Sequence, residues 1–224
     1  MNITTITIKI KGRLNRYIQN TASAVRPSAV ARSALYHLGW YRLNKKHFAG
    51  FHLGSGWNRI PGFVNVDLSH FVNADIVAGV TKLKVADNAL GALYASHLFE
   101  HTDRTKALAI LKEWHRALSP GSNLYVAVPD LEKLFTIYLE RIKNYEVEEN
   151  RATADKACRI IYGGQVNKYD YHFYGYSFIT LKYILQRAGF KNIERFDPRQ
   201  LALLEIGADA SFTPISLNIK ATKI

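Results

Sequence analysis

Four side chains in this sequence carry the types needed for proton chemistry. His97, Glu100 and His101 stand close together in Tyr-Ala-Ser-His-Leu-Phe-Glu-His, residues 94–101, and His172 lies in an aromatic stretch further on. A neutral imidazole can take a proton from an acceptor hydroxyl near neutral pH, and a neighbouring carboxylate can orient it. Any of the four is a candidate catalytic residue. Residues 97–101 also spell His-x-x-Glu-His, the inverted zinc-peptidase pattern. Such a site needs its motif well inside a helix and a further ligand from elsewhere. Here the motif directly follows the apolar run Ala92–Ser96, so zinc hydrolysis is a minor alternative and no metal is assigned.

A second group suits a nucleoside. Phe51 and Leu53 run into Gly54-Ser55-Gly56, and a short apolar run from Phe63 to Val66 ends on Asp67. A Gly-x-Gly turn at the end of a strand lets a ligand approach backbone that a Cβ would block, with N–H groups pointing outward as donors. A carboxylate at the end of the next strand can accept both ribose hydroxyls. The third glycine of a dinucleotide fingerprint should fall at Arg59 or Ile60. Neither is glycine, which counts against nicotinamide and flavin cofactors.

The elements that position these residues alternate. Strands are expected at Phe51, at Phe63–Val66, at Asp75–Ala78, at Ala92–Ser96 and at Leu124–Val128, where a nearly continuous apolar run fits a buried parallel strand. Helical spacing places apolar faces over 103–118, closed by Ser119-Pro120-Gly121, and over 131–142, with Asp130 placed to cap it. Lys143–Asn150 reads as a loop, and a further helical face spans Ala154–Ile161. An aromatic loop, 165–177, precedes a helix from Phe178 with Gly189 at its end. Ile193 and Phe196 mark one strand and Ile215–Ala221 a closing one, an antiparallel hairpin at a sheet edge. Strand alternating with helix implies an α/β sheet with helices on both faces.

Composition bounds the rest. A chain of 224 residues supports one substantial core. The single cysteine, Cys158, excludes an intramolecular disulfide and points to a reducing, cytoplasmic setting. The net charge of +12 is concentrated at the front: residues 1–66 hold ten Lys or Arg and no Asp or Glu. Residues 1–48, with an expected strand at Ile3–Ile10, a helical turn at Leu14, Tyr17 and Ile18, and a helix over Ser28–Leu38, form a basic extension to a domain over 49–224. That extension can contact an anionic membrane or nucleic acid.

In their order, Leu-Gly-Ser-Gly, Val-Asn-Val-Asp, Tyr-Ala-Ser-His-Leu-Phe-Glu-His, Glu-Trp-His-Arg-Ala-Leu-Ser-Pro-Gly and Tyr-Val-Ala-Val-Pro-Asp resemble class I S-adenosylmethionine-dependent methyltransferases. The similarity is to the small branch associated with sugar and polysaccharide modification, and covers residues 50–222. It implies a Rossmann-like seven-stranded sheet ordered 3-2-1-4-5-7-6 with strand 7 antiparallel. It also implies S-adenosyl-L-methionine at Gly54, Ser55, Gly56, Asp67, Val80 and Ser96, and methyl transfer to a hydroxyl of a glycan or glycolipid precursor. A binding protein of the same fold, or an RNA-directed methyltransferase, docking through residues 1–48 is the alternative. The chain departs from that pattern at Gly79, Lys84, Gly91 and Ser122. Without a carboxylate at 79, one acceptor for the adenine amino group is missing, worth about 1 kcal/mol.

Overall fold

The computed structural model describes residues 29–39, 41–43, 45, 48–72, 74–200 and 214–224. The expected strand at Ile3–Ile10 and the turn at Leu14, Tyr17 and Ile18 lie outside these residues. Within them, α1 (Ala29–His37) comes first, followed by β1 (Gly50–Leu53), β2 (Phe63–Asp67), β3 (Ile76–Val77) and β4 (Leu90–Ser96). A 3-10 turn, Phe99–His101, leads into α2 (Arg104–Ala117), β5 (Leu118–Pro129), α3 (Leu131–Ile142) and α4 (Glu148–Tyr162). The chain closes with α5 (Phe178–Arg187), β6 (Lys191–Arg195), a 3-10 turn at Pro198–Gln200 and β7 (Ser216–Thr222).

The strands form one sheet ordered β3-β2-β1-β4-β5-β7-β6. β7 runs antiparallel to both β5 and β6, and the other pairings are parallel. This is the order that the sequence resemblance implies, with the last strand inserted between β5 and β6. Register sorts the side chains. Phe51, Val64, Leu93, Leu124 and Ala221 lie in one row, and all belong to the main core. Leu35 and Tyr36 of α1, Trp114 of α2, and Leu181 and Leu185 of α5 join that same core.

The opposite face carries a smaller cluster. Its row runs His52, Asn65, Tyr94, Tyr125 and Lys220. Ile60, from the connection between β1 and β2, packs there with Phe63, Ala92 and Tyr94. Among the described residues no helix joins that cluster. The reason is local: residues 54–62 link two parallel strands without forming a helix. The remaining pair, α3 and α4, packs mainly on itself at the carboxyl end of β5, burying Leu134, Ala154 and Ala157. α4 begins at Glu148, inside the expected loop, with Glu148 and Glu149 in its first turn, where a helix favours negative charge.

Asp130 takes the cap position of α3, but its side chain makes no cap hydrogen bond. It accepts instead from Arg195 Nη1 at 3.2 Å, because β6 brings a guanidinium to a carboxylate that is otherwise buried.

A buried carboxylate ties α1 to the sheet. Asp75 pairs with Arg32 of α1 and accepts from Arg59 Nη2 at 2.8 and 2.9 Å. The backbone N–H and side-chain amide of Asn65 reach its Oδ2 at 3.0 and 3.1 Å. Burial opposes its charge, but Arg59 and Asn65 outweigh that and hold the carboxyl below its ordinary range. A depressed folded value makes this contribution complete above the unfolded pKa, about 3.9, and lost as pH falls through the folded value. Asp75→Ala should lower the unfolding free energy by about 3–5 kcal/mol in urea at pH 7. The difference from the parent should shrink in acid, and equal midpoints at pH 7 would refute the assignment.

Candidate functional site

The carboxyl edge of β1, β2 and β4 collects most of the candidate residues. Gly54 and Gly56 have φ of 63° and 51°, left-handed values that the turn requires and that favour glycine. The turn's donors, however, point inward. Ser55 N–H donates to Val66 O at 3.2 Å, and Gly56 N–H to Asp67 Oδ2 at 2.8 Å. β2 runs close enough alongside to take both, so the outward donors expected of this turn are engaged within it. Asp67 Oδ1 accepts from Ser69 N–H at 2.8 Å. Each carboxylate oxygen has two lone pairs, so one on each remains for a ribose hydroxyl, and Asp67 is only half-buried.

Space around the turn is uneven. A Cβ at Gly56 or Gly79 would meet nothing within 4 Å, whereas one at Gly54 would lie 2.7 Å from a methyl of Leu98. A nucleoside at this edge would therefore meet a carboxylate at Asp67 and open space beside Gly56 and Gly79. The Gly54 side is covered by Leu98. Trp57 follows Gly56, and Leu68 and Phe71 follow Asp67; all three are exposed apolar side chains on the loops that carry the site. Sequence reading passed over them, although large apolar residues beside a turn were the available signal. Val80 is in the core, and its carbonyl accepts from Trp114 Nε1 at 2.9 Å. Ser96 ends β4 beside His97.

The proton-transfer candidates converge just beyond β4. His97 has φ of 47°, a left-handed conformation unusual for a residue with a side chain and often found where function fixes geometry. Its N–H donates to Ala127 O at 2.8 Å. Its Nε2 lies 2.8 Å from Ser216 Oγ, and its Nδ1 3.2 Å from Glu100 Oε1. Ser216 was not legible as a site residue. It is the first residue of β7, and only the antiparallel insertion of that strand brings it to the carboxyl edge. Glu100 is buried, and its oxygens make no hydrogen bond among the described residues, the His97 approach being off hydrogen-bond geometry.

His101 and His172 meet with ring centroids 4.6 Å apart, edge to face. His172 is held below the ordinary histidine range mainly by burial, with the nearby Glu100 charge opposing and His101 assisting. His97 and His172 share a pocket of about 660 Å³ with Pro129, Asp155, Lys156 and Arg159. The His-x-x-Glu-His pattern spans a strand end and a three-residue 3-10 turn rather than an α-helix. It therefore does not stack His97 and His101 on one helical face in the zinc-peptidase manner.

The basic extension is partly engaged. Arg32 pairs with Asp75, and Arg42 donates to the carbonyls of Gly39 and Tyr41. Lys9, Lys11, Arg13, Arg16 and Arg26 lie outside the described residues. No described helix is long and apolar enough to cross a membrane.

No family profile and no curated protein matches the chain. Several solved structures are similar in fold. An S-adenosylmethionine-dependent methyltransferase from Thermotoga maritima, described as a possible histamine N-methyltransferase, is 16% identical with a TM-score of 0.47, covering 78% of this chain and 81% of its own. A methyltransferase from Archaeoglobus fulgidus is 15% identical with a TM-score of 0.47, covering 96% and 93%. A possible exported protein from Bordetella parapertussis is 11% identical, also at 0.47, covering 97% of this chain and 68% of its own.

The contact between Gly54 and Leu98 can be tested by a double-mutant cycle. Gly54→Ala should cost about 1–2 kcal/mol from its left-handed backbone alone, plus the clash with Leu98. In the Leu98→Ala background the clash disappears, so the two changes should be less costly together than their sum. Strict additivity in urea unfolding would refute the contact.

Proposed function

We propose that this protein is an S-adenosyl-L-methionine-dependent methyltransferase acting on a hydroxyl of a glycan or glycolipid precursor. The observation that carries the reading is Asp67. It is a half-exposed carboxylate braced by Gly56 N–H at the end of β2, on a sheet ordered β3-β2-β1-β4-β5-β7-β6. Asp67 would hold the ribose, Trp57, Leu68 and Phe71 offer apolar surface to the purine, and Gly54 would face the methionine portion once Leu98 turns aside. The bound cofactor supplies an electrophilic methyl on a sulfonium. What this chain must add is position and proton removal.

His97 is the base favoured by position, since it lines the pocket and has Glu100 beside Nδ1. Glu100 stabilises an imidazolium there, and Ser216 Oγ lies at the nitrogen that would accept the proton. Two arrangements serve: the acceptor hydroxyl displaces the serine hydroxyl from Nε2, or it passes its proton through that hydroxyl. Lys156 and Arg159, on the wall of the same pocket, suit the phosphate of a lipid- or nucleotide-linked sugar. That supports a phosphate-bearing acceptor, with Asp155 and Asp170 on the same wall.

Calorimetry with S-adenosylmethionine and its demethylated product should show binding to the parent protein and none to Asp67→Ala. Leu98→Ala should bind more tightly. Absence of heat with either compound would end the reading. Labelled-methyl transfer to a cell extract should place the label in a sugar-containing product, and His97→Ala should reduce it by about 10²–10⁴-fold. Label in RNA would instead favour the nucleic-acid acceptor.

A further inference from the structure

We propose that Glu100, His101 and His172 form a binding site for one divalent transition-metal ion of the zinc class. The ligand-capable atoms of these three side chains all lie within 4.8 Å of one another. Tetrahedral bonds of about 2.1 Å set ligand atoms roughly 3.4 Å apart, so the three atoms stand somewhat wider than a bound ion would hold them. This assignment stands on side-chain geometry and does not require the methyl-transfer reading.

Three observations point to a cation. Glu100 is 1% exposed, and neither oxygen has a hydrogen bond among the described residues. A buried carboxylate in that condition is costly unless a cation compensates it. His101, moreover, is oriented as a metal-ligating histidine is. Its Nδ1 lies 3.1 Å from Tyr171 O. A ring nitrogen donating to a carbonyl fixes the tautomer and leaves the other nitrogen's lone pair available. For His101 the available atom is Nε2. Finally, the loop carrying His172 is fastened to the 3-10 turn that carries the other two, by Phe173 N–H to Glu100 O at 2.9 Å. The three ligands are therefore held by two segments with a defined spacing.

Two imidazoles and one carboxylate suit zinc and its neighbours better than calcium or magnesium, which prefer all-oxygen ligand sets. Three protein ligands leave a coordination position open, as in catalytic rather than structural zinc sites. His172 lines the pocket that also holds His97, so an acceptor in that pocket would lie beside the ion. His97 is not one of the ligands: its Nε2 lies 2.8 Å from Ser216 Oγ and its Nδ1 3.2 Å from Glu100 Oε1.

Metal content and affinity test this directly. Tag-free protein, stripped with chelator and titrated with zinc in the absence of S-adenosylmethionine, should bind one ion per chain. Cobalt in its place should give the visible absorption of a four- or five-coordinate ion. His101→Ala and His172→Ala should each weaken zinc binding by at least about a hundredfold, while His70→Ala, on the loop after β2, should bind as the parent does. Circular dichroism on each variant separates a lost ligand from a lost fold, and Glu100→Gln repeats the test with the side-chain shape kept. Parent protein that binds no zinc, or folded His101→Ala and His172→Ala proteins that bind it as tightly as the parent, overturns the site. Asp67→Ala should retain zinc fully, which keeps this outcome distinct from any failure to bind S-adenosylmethionine.

Discussion

The buried charge of Asp75 is the constraint on which the rest of the arrangement leans. One carboxylate takes Arg32 from α1, Arg59 from the connection between β1 and β2, and the backbone of Asn65 in β2 itself. It thereby fastens a helix that precedes the sheet to the sheet's far side. It also gives the connection 54–62 an anchor in place of the helix that it lacks. Were that connection loose, the turn carrying Gly54 and Gly56 would have nothing behind it. Asn65 extends the network: its side-chain carbonyl oxygen accepts from Ile60 N–H at 3.1 Å and lies 3.1 Å from His52 Nδ1. A buried charge is tolerated here because donors from three segments surround it.

What the sequence disclosed follows from how local each signal is. The parallel strands were legible because an unbroken apolar run has few other uses, and the hairpin because two strands followed with no long helix between them. Helix boundaries depended on caps: Asp103, at the start of the expected 103–118 face, accepts from Thr105 N–H at 2.8 Å. Ser177 and Thr180 form a full capping box that the pattern did not single out. Asp130 misled because the cap position can be read along the chain, whereas Arg195 reaches it across the sheet. Ser216 was hidden for the same reason. Its neighbour His97 is distant in sequence, and only the strand insertion brings them together.

Charge and tautomer organise the region beyond β4. Glu100 has three imidazoles near it, His97 at 3.2 Å and the ligand-capable atoms of His101 and His172 within 4.8 Å. Residue type suggested these four side chains as one group. Their division into one histidine facing Ser216 and two meeting each other required coordinates, because it depends on a left-handed backbone at His97 and on the fold of the aromatic loop.

The connection between β1 and β2 has one more consequence. In a doubly wound sheet the helix after the first strand aims the positive end of its dipole at the ligand, and that field is what holds a pyrophosphate. Residues 54–62 contain no helix, so no such field bears on the Gly54 turn. An anionic dinucleotide would find little to neutralise it there. A cationic sulfonium nucleoside requires no positive pole, and the only formal charge on the turn's own hydrogen-bond partner, Asp67, has the opposite sign to the sulfonium. Under the proposed reading, Asp67 sets the sign of charge this turn favours before any side chain selects by shape.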